Sequence, residues 1–164
     1  MNYQIRAFIN RVFSLPILKK GYYPIKNLLM GDRCQKEPGE VMFFHKENIL
    51  KYGGNIALEI GAGQSLFQNI FLRDCLNYQY VTDISHIINL KKVNRVLEKY
   101  KLKEIKNSNQ LLDYNIKYMA PFDITLQKGL ENKRLDFFLS SSTFEHIPLR
   151  SLEKILLKLR KILI

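Results

Sequence analysis

The feature that most constrains the fold is the run Leu58-Glu59-Ile60-Gly61-Ala62-Gly63-Gln64-Ser65. An apolar stretch enters a glycine pair, and a helical pattern follows at once. Glycine permits a tight turn with positive φ and leaves no Cβ in the way of a ligand. The N-terminus of the new helix points free N–H groups at the same place. In a doubly wound sheet that place is the crevice where nucleotides bind.

A full dinucleotide fingerprint wants a glycine at position 66, where this chain has Leu66. Glu59, immediately before the glycines, would repel a pyrophosphate and tolerate a ligand bearing an amino group. Asp83 follows Gly61 by 22 residues, in Val81-Thr82-Asp83-Ile84-Ser85. A carboxylate at the end of a second strand can accept from both ribose hydroxyls. The alternative for Asp83, or for Ser85, is a helix N-cap.

From Asn55 onward, strand and helix patterns alternate. Short apolar runs at 56–60, 78–82, 115–119 and 135–139 predict four strands. Helical spacing predicts helices over 40–51, 65–74, 87–100 and 149–163. In the third of these Ile87, Leu90, Val93 and Leu97 share one face. Such alternation predicts a parallel sheet with helices on its faces.

Four motifs in order, EIGAGQS at 59–65, DIS at 83–85, APFD at 120–123 and DFFLSSSTFEHIP at 136–148, resemble the class I methyltransferases. They are most similar to the subset with a type-11 domain. The resemblance covers roughly residues 54–160 and implies an α/β, Rossmann-like parallel sheet of order 3-2-1-4. It implies S-adenosylmethionine as cofactor. Glu59, Gly61 and Gly63 would line its methionine end, and Asp83, with Ile84 beside it, would hold the ribose. Asp123 and Ile124 would sit at the adenine, although an aspartate after Pro121 is often only turn chemistry. Ser140 and Ser141 would lie beside the sulfonium and the acceptor.

Glu145 and His146 follow in a loop expected to face the reacting methyl. A histidine there can take a proton from an acceptor hydroxyl at neutral pH. The pair could instead shape the entry to the last helix, since methyl transfer needs little beyond in-line placement. His45 and His86 have no motif around them, and His45 is expected to pack or be solvated. No metal-ligand spacing is present.

The formal net charge is +11. Lys91, Lys92, Lys99 and Lys103 fall on expected polar helix faces, so a solvated surface accounts for the surplus better than a specific nucleic-acid site. No aromatic residues interleave with a basic stripe, as single-strand binders require. Cys34 and Cys75 form no CxxC pair and are expected to be reduced. No apolar run reaches spanning length, and Arg6 and Arg11 break any signal-peptide pattern, which predicts a cytoplasmic chain.

Residues 1–52 are expected to form an N-terminal helical lid or extension, and 53–164 the cofactor-binding domain. Within 2–30, Ile5, Phe8, Ile9, Val12 and Phe13 recur at helical spacing. That stripe could make peripheral membrane contact, but it is short, which favours packing as a lid. Residues 31–39 read as a loop.

The family sheet has seven strands, and four are expected here, so the fold reads as truncated at its C-terminal side. The fourth strand would then be an open edge that the last helix, with Leu152, Ile155, Leu156, Leu159, Ile162 and Leu163, cannot pair. A dimer or a partner chain at that edge is expected. Methyl transfer to a small-molecule or glycan acceptor is the favoured function. The alternatives are a catalytically inactive methyltransferase fold and a basic adaptor for nucleic acid or membrane.

Overall fold

The computed structural model describes residues 37–126, 129–130, 134–141 and 143–163. The stripe from Ile5 to Phe13, the membrane contact expected of 2–30, most of the 31–39 loop and Cys34 lie outside the described residues.

Helix α1 spans Glu40–Tyr52 and stops where Gly53 takes φ 72°, its N–H bonding the Ile49 carbonyl at 3.0 Å. Strand β1 is Ile56–Ile60, and helix α2 is Phe67–Leu72. The expected start of α2 at position 65 is corrected because Leu66 adopts φ 50°, which extends the glycine turn. Strand β2 is Tyr78–Thr82, and helix α3 is Leu90–Lys99. That helix starts three residues later than expected because the Asn89 side chain caps it, accepting from the Lys92 N–H. A 3₁₀ helix, Ser108–Tyr114, precedes strand β3, Ile116–Met119. Strand β4 is Phe137–Leu139, and helix α4 is Leu149–Ile162.

The sheet is parallel with order β3-β2-β1-β4, as expected. Glu59 lies opposite Val81 on one side and Leu139 on the other. Alternation along β1 sorts the two faces. Leu58 and Ile60 pack with Ile155, Leu159 and Ile162 of α4. Ala57 packs with Ile49 of α1 and Leu72 of α2. Glu59 shares that second face, which places its carboxylate under α2.

Three expectations are corrected. Leu156 is 48% exposed, so it is not part of the α4 core stripe. The edge at β4 is not wholly open, because the chain leaving α4 becomes extended. Leu163 forms a parallel bridge with Leu135, whose N–H donates to the Ile162 carbonyl at 3.2 Å. Lys92 is buried rather than on a polar face, and its Nζ donates to Gln64 Oε1 at 2.8 Å.

Candidate functional site

The chain order reverses between β1 and β4, so the crevice at their carboxyl ends is the point where an open α/β sheet accepts a ligand. The glycine turn forms its floor. Gly61 takes φ 79° and Gly63 φ 75°. A Cβ on Gly61 would overlap the Thr143 side chain, so the loop after β4 requires glycine there. A Cβ on Gly63 would meet nothing within 4 Å, so the space above that residue is open.

Glu59 is 2% exposed. Its Oε1 accepts from Gln68 Nε2 at 2.9 Å and its Oε2 from Asn69 Nδ2 at 2.7 Å. Burial pushes the carboxyl up to about 7, against the Asn69 and Gln68 amides, which pull it down. Asp83 ends β2, its N–H bonding the Met119 carbonyl and its carbonyl accepting from Phe122 N–H. Burial, and then the negative charge of Glu59, push the Asp83 carboxyl up to about 7, while the Tyr118 hydroxyl acts the other way. The Asp83 Oδ2 atom is buried and has no hydrogen-bond partner among the described residues. Most buried polar groups have one, so this atom calls for a ligand or water. Ile84 beside it is 73% exposed and offers an apolar surface.

Asp123 spends Oδ1 on its own turn, accepting from the Thr125 N–H at 2.8 Å and the Thr125 hydroxyl at 2.6 Å. Ile124 is buried in the core with Phe122 and Leu130. The Ser140 hydroxyl lies 3.5 Å from the Ile60 carbonyl, and Ser141 Oγ donates to Gln68 Oε1 at 2.9 Å. The fold thus brings Glu59, Gly61, Ser140 and Ser141 to one crevice, with Asp83 at the neighbouring strand end. Glu145 and His146 stand in a short 3₁₀ turn, paired at 3.3 Å and each about two-thirds exposed.

A search of the solved structures places this architecture. An S-adenosylmethionine-dependent methyltransferase from Clostridium acetobutylicum matches with a TM-score of 0.51 and 16% identity, covering 89% of this chain and 53% of that one. The chain has the fold of the S-adenosylmethionine-dependent methyltransferases. Magnesium protoporphyrin IX methyltransferase from Synechocystis matches twice. Its form with bound S-adenosylmethionine gives a TM-score of 0.51 at 15% identity, covering 76% of this chain and 53% of that one. Its form with bound S-adenosylhomocysteine gives 0.50 at 13% identity, covering 86% and 62%. The chain therefore spans 53% to 62% of the length of these structures. No family model matches the sequence, and no curated protein matches it significantly.

Within this methyltransferase fold, several residues at the crevice were not legible in the sequence. Gln68 links Glu59 to Ser141, and Thr143 sits over Gly61 with its hydroxyl 3.2 Å from the Gly61 carbonyl. Tyr118 accepts from the Ile87 N–H at 3.2 Å and so ties β3 to the loop after β2. His45 reaches Gln68 from α1. Thr143 lies within the 136–148 motif without being singled out by it, and the others belong to no short motif; only tertiary proximity marks them.

Proposed function

We propose that the chain binds S-adenosylmethionine in the crevice at β1, β2 and β4 and supports methyl transfer to a small-molecule or glycan acceptor. The observation that carries this reading is the buried Oδ2 of Asp83 at the end of β2, which has no hydrogen-bond partner among the described residues. An acceptor atom placed there suits a hydroxyl donor such as a ribose. Glu59 and Asp83 together make an anionic environment in which a dianionic pyrophosphate is repelled and a cation is welcomed. The cofactor, when bound, supplies an electrophilic methyl on a positively charged sulfur.

The chain's own residues then do three things. Asp83 orients the nucleoside end, with Ile84 as an apolar surface for the base. Glu59, held by two amides, gives the cationic end a negative potential once it ionises above about pH 7, with little reorganisation. The loop from Ser140 to Thr143 closes the β4 side through Gln68 and Gly61. Glu145 and His146 stand where that loop meets solvent and are candidates for handling a proton. Helix α1 closes the other side of the site, packing through Ile49 against Ala57 and Leu72 and reaching Gln68 with His45. Among the described residues no helix is long and apolar enough to cross a membrane.

Calorimetry on the full chain tests the reading. S-adenosylhomocysteine and S-adenosylmethionine should each bind at one site. Tighter binding of NAD than of either compound sinks it.

A further inference from the structure

Gln68 is the point at which three parts of the fold meet. It is 4% exposed. Its Nε2 donates to Glu59 Oε1 at 2.9 Å, and its Oε1 lies 2.9 Å from Ser141 Oγ and 3.1 Å from His45 Nδ1. At pH 8, above the value of about 7 to which burial pushes it, the Glu59 carboxylate can only accept, so the amide NH₂ faces it. The amide oxygen then faces Ser141 and His45, and its two lone pairs suit two donors. His45 must therefore carry a proton on Nδ1. In the neutral ring this leaves Nε2 with a free lone pair.

The surroundings favour that state. Burial lowers the His45 pKa below its ordinary value, with the Gln68 hydrogen bond acting in the opposite sense. Among the described residues Nε2 has no hydrogen-bond partner. His146 is instead an exposed member of an ion pair, and the exposed His86 ring lies 6.1 Å from Tyr118. Through one side chain, Gln68, His45 is tied to both walls of the crevice, Glu59 on β1 and Ser141 after β4.

We propose that His45 is the base that receives the proton of a hydroxyl acceptor, with Gln68 as its positioning residue. This rests on the methyl-transfer reading. The acceptor oxygen attacks the methyl carbon, and a C–O bond forms as the C–S bond breaks. The electron pair of that bond leaves on sulfur, which becomes a neutral thioether. The acceptor O–H bond breaks and its proton goes to His45 Nε2, giving an imidazolium that later returns it to water. The products are a methyl ether and S-adenosylhomocysteine. A base that is neutral near pH 7 and held in one tautomer suits such a transfer.

Two measurements on the full chain test this. At pH 8, long-range ¹H–¹⁵N correlation should show His45 protonated at Nδ1 and bare at Nε2, and Gln68→Leu should release it towards the Nε2-protonated form. A wild-type His45 protonated at Nε2 overturns the proposal. The second probe is a cofactor analogue with an aziridine in place of the sulfonium, which alkylates whatever nucleophile stands at the acceptor position. The adduct should map to His45 by mass spectrometry and be suppressed by excess S-adenosylhomocysteine. An adduct on His146, or none on His45, in protein that binds S-adenosylhomocysteine overturns the role of His45 while leaving cofactor binding intact. Failure to bind S-adenosylhomocysteine at all removes the methyl-transfer reading and this proposal with it.

Discussion

Glu59 and Asp83 stand at the ends of adjacent strands, and the negative charge of the first adds to burial in holding the second protonated up to about pH 7. Both carboxyls titrate near 7 in the folded chain and near 4 when exposed to water. Between those values the folded state binds more protons than the unfolded one. Stability contributed by these groups is therefore full below about pH 4 and is lost as pH rises towards 7. His45, with its lowered pKa, works in the opposite sense below its ordinary value of 6.5. Thermal unfolding between pH 5 and 8 should fall in midpoint as pH rises. Glu59→Gln should remove at least about half of that slope, because it deletes one group and unloads the other. An unchanged slope would show that neither carboxyl carries it.

Asp83→Asn keeps the shape of the side chain and removes its charge. Loss of charge-assisted hydrogen bonds of roughly 1.5–3 kcal/mol each should weaken S-adenosylhomocysteine binding by about tenfold or more. In the unaltered chain, affinity measured by calorimetry should rise from pH 6 to pH 8 as Asp83 ionises. The variant should lose much of that rise.

The two glycines of the turn should respond differently. Gly61→Ala combines a φ of 79° with overlap against Thr143 and should destabilise the fold by about 2–4 kcal/mol in urea unfolding. Gly63→Ala meets no atom and should cost only the left-handed strain, about 1–2 kcal/mol. Its larger effect should be on cofactor affinity, since the methyl group enters the open space. Thr143→Ser should recover part of the Gly61→Ala loss and none of the Gly63→Ala loss.

The surplus of basic residues gives a salt test. Affinity for duplex DNA, measured by fluorescence anisotropy, should be weak and fall by on the order of 10³-fold between 50 and 200 mM salt. Sequence-selective binding that survives the higher salt would favour the adaptor reading.

Helix α4 leaves Leu149 and Leu157 on its outer side, 71% and 62% exposed. A second copy of the chain, as proposed for the β4 side, would find apolar surface there. Sedimentation should show self-association of the isolated chain, and Leu157→Lys should shift it towards monomer.

The fold was legible because its signals are local. The glycine turn, the four apolar runs and the helix patterns between them sufficed for a parallel sheet flanked by helices, while the order of its strands came from the family resemblance. Boundaries slipped where a backbone state overrode propensity, as at Leu66, whose left-handed φ delays α2, and at Asn89, whose cap sets the start of α3. The 3₁₀ helix Ser108–Tyr114 has no periodicity long enough to announce it. At the site, Asp83 could be found from spacing, but the polar links through Gln68 could not. They join residues 9, 23 and 73 positions apart.

The glycine turn is also held from behind. Gln64 is fixed at two points by α3, its carbonyl accepting from the Asn89 N–H at 2.9 Å and its side chain from the buried Lys92. A loop fastened in this way has its ordering entropy settled when the chain folds, so a nucleoside ligand arriving later meets a finished surface. Lys92→Met would then act on the ligand from a distance. It would weaken binding chiefly through a less favourable entropy, with every residue that lines the crevice still in its native identity.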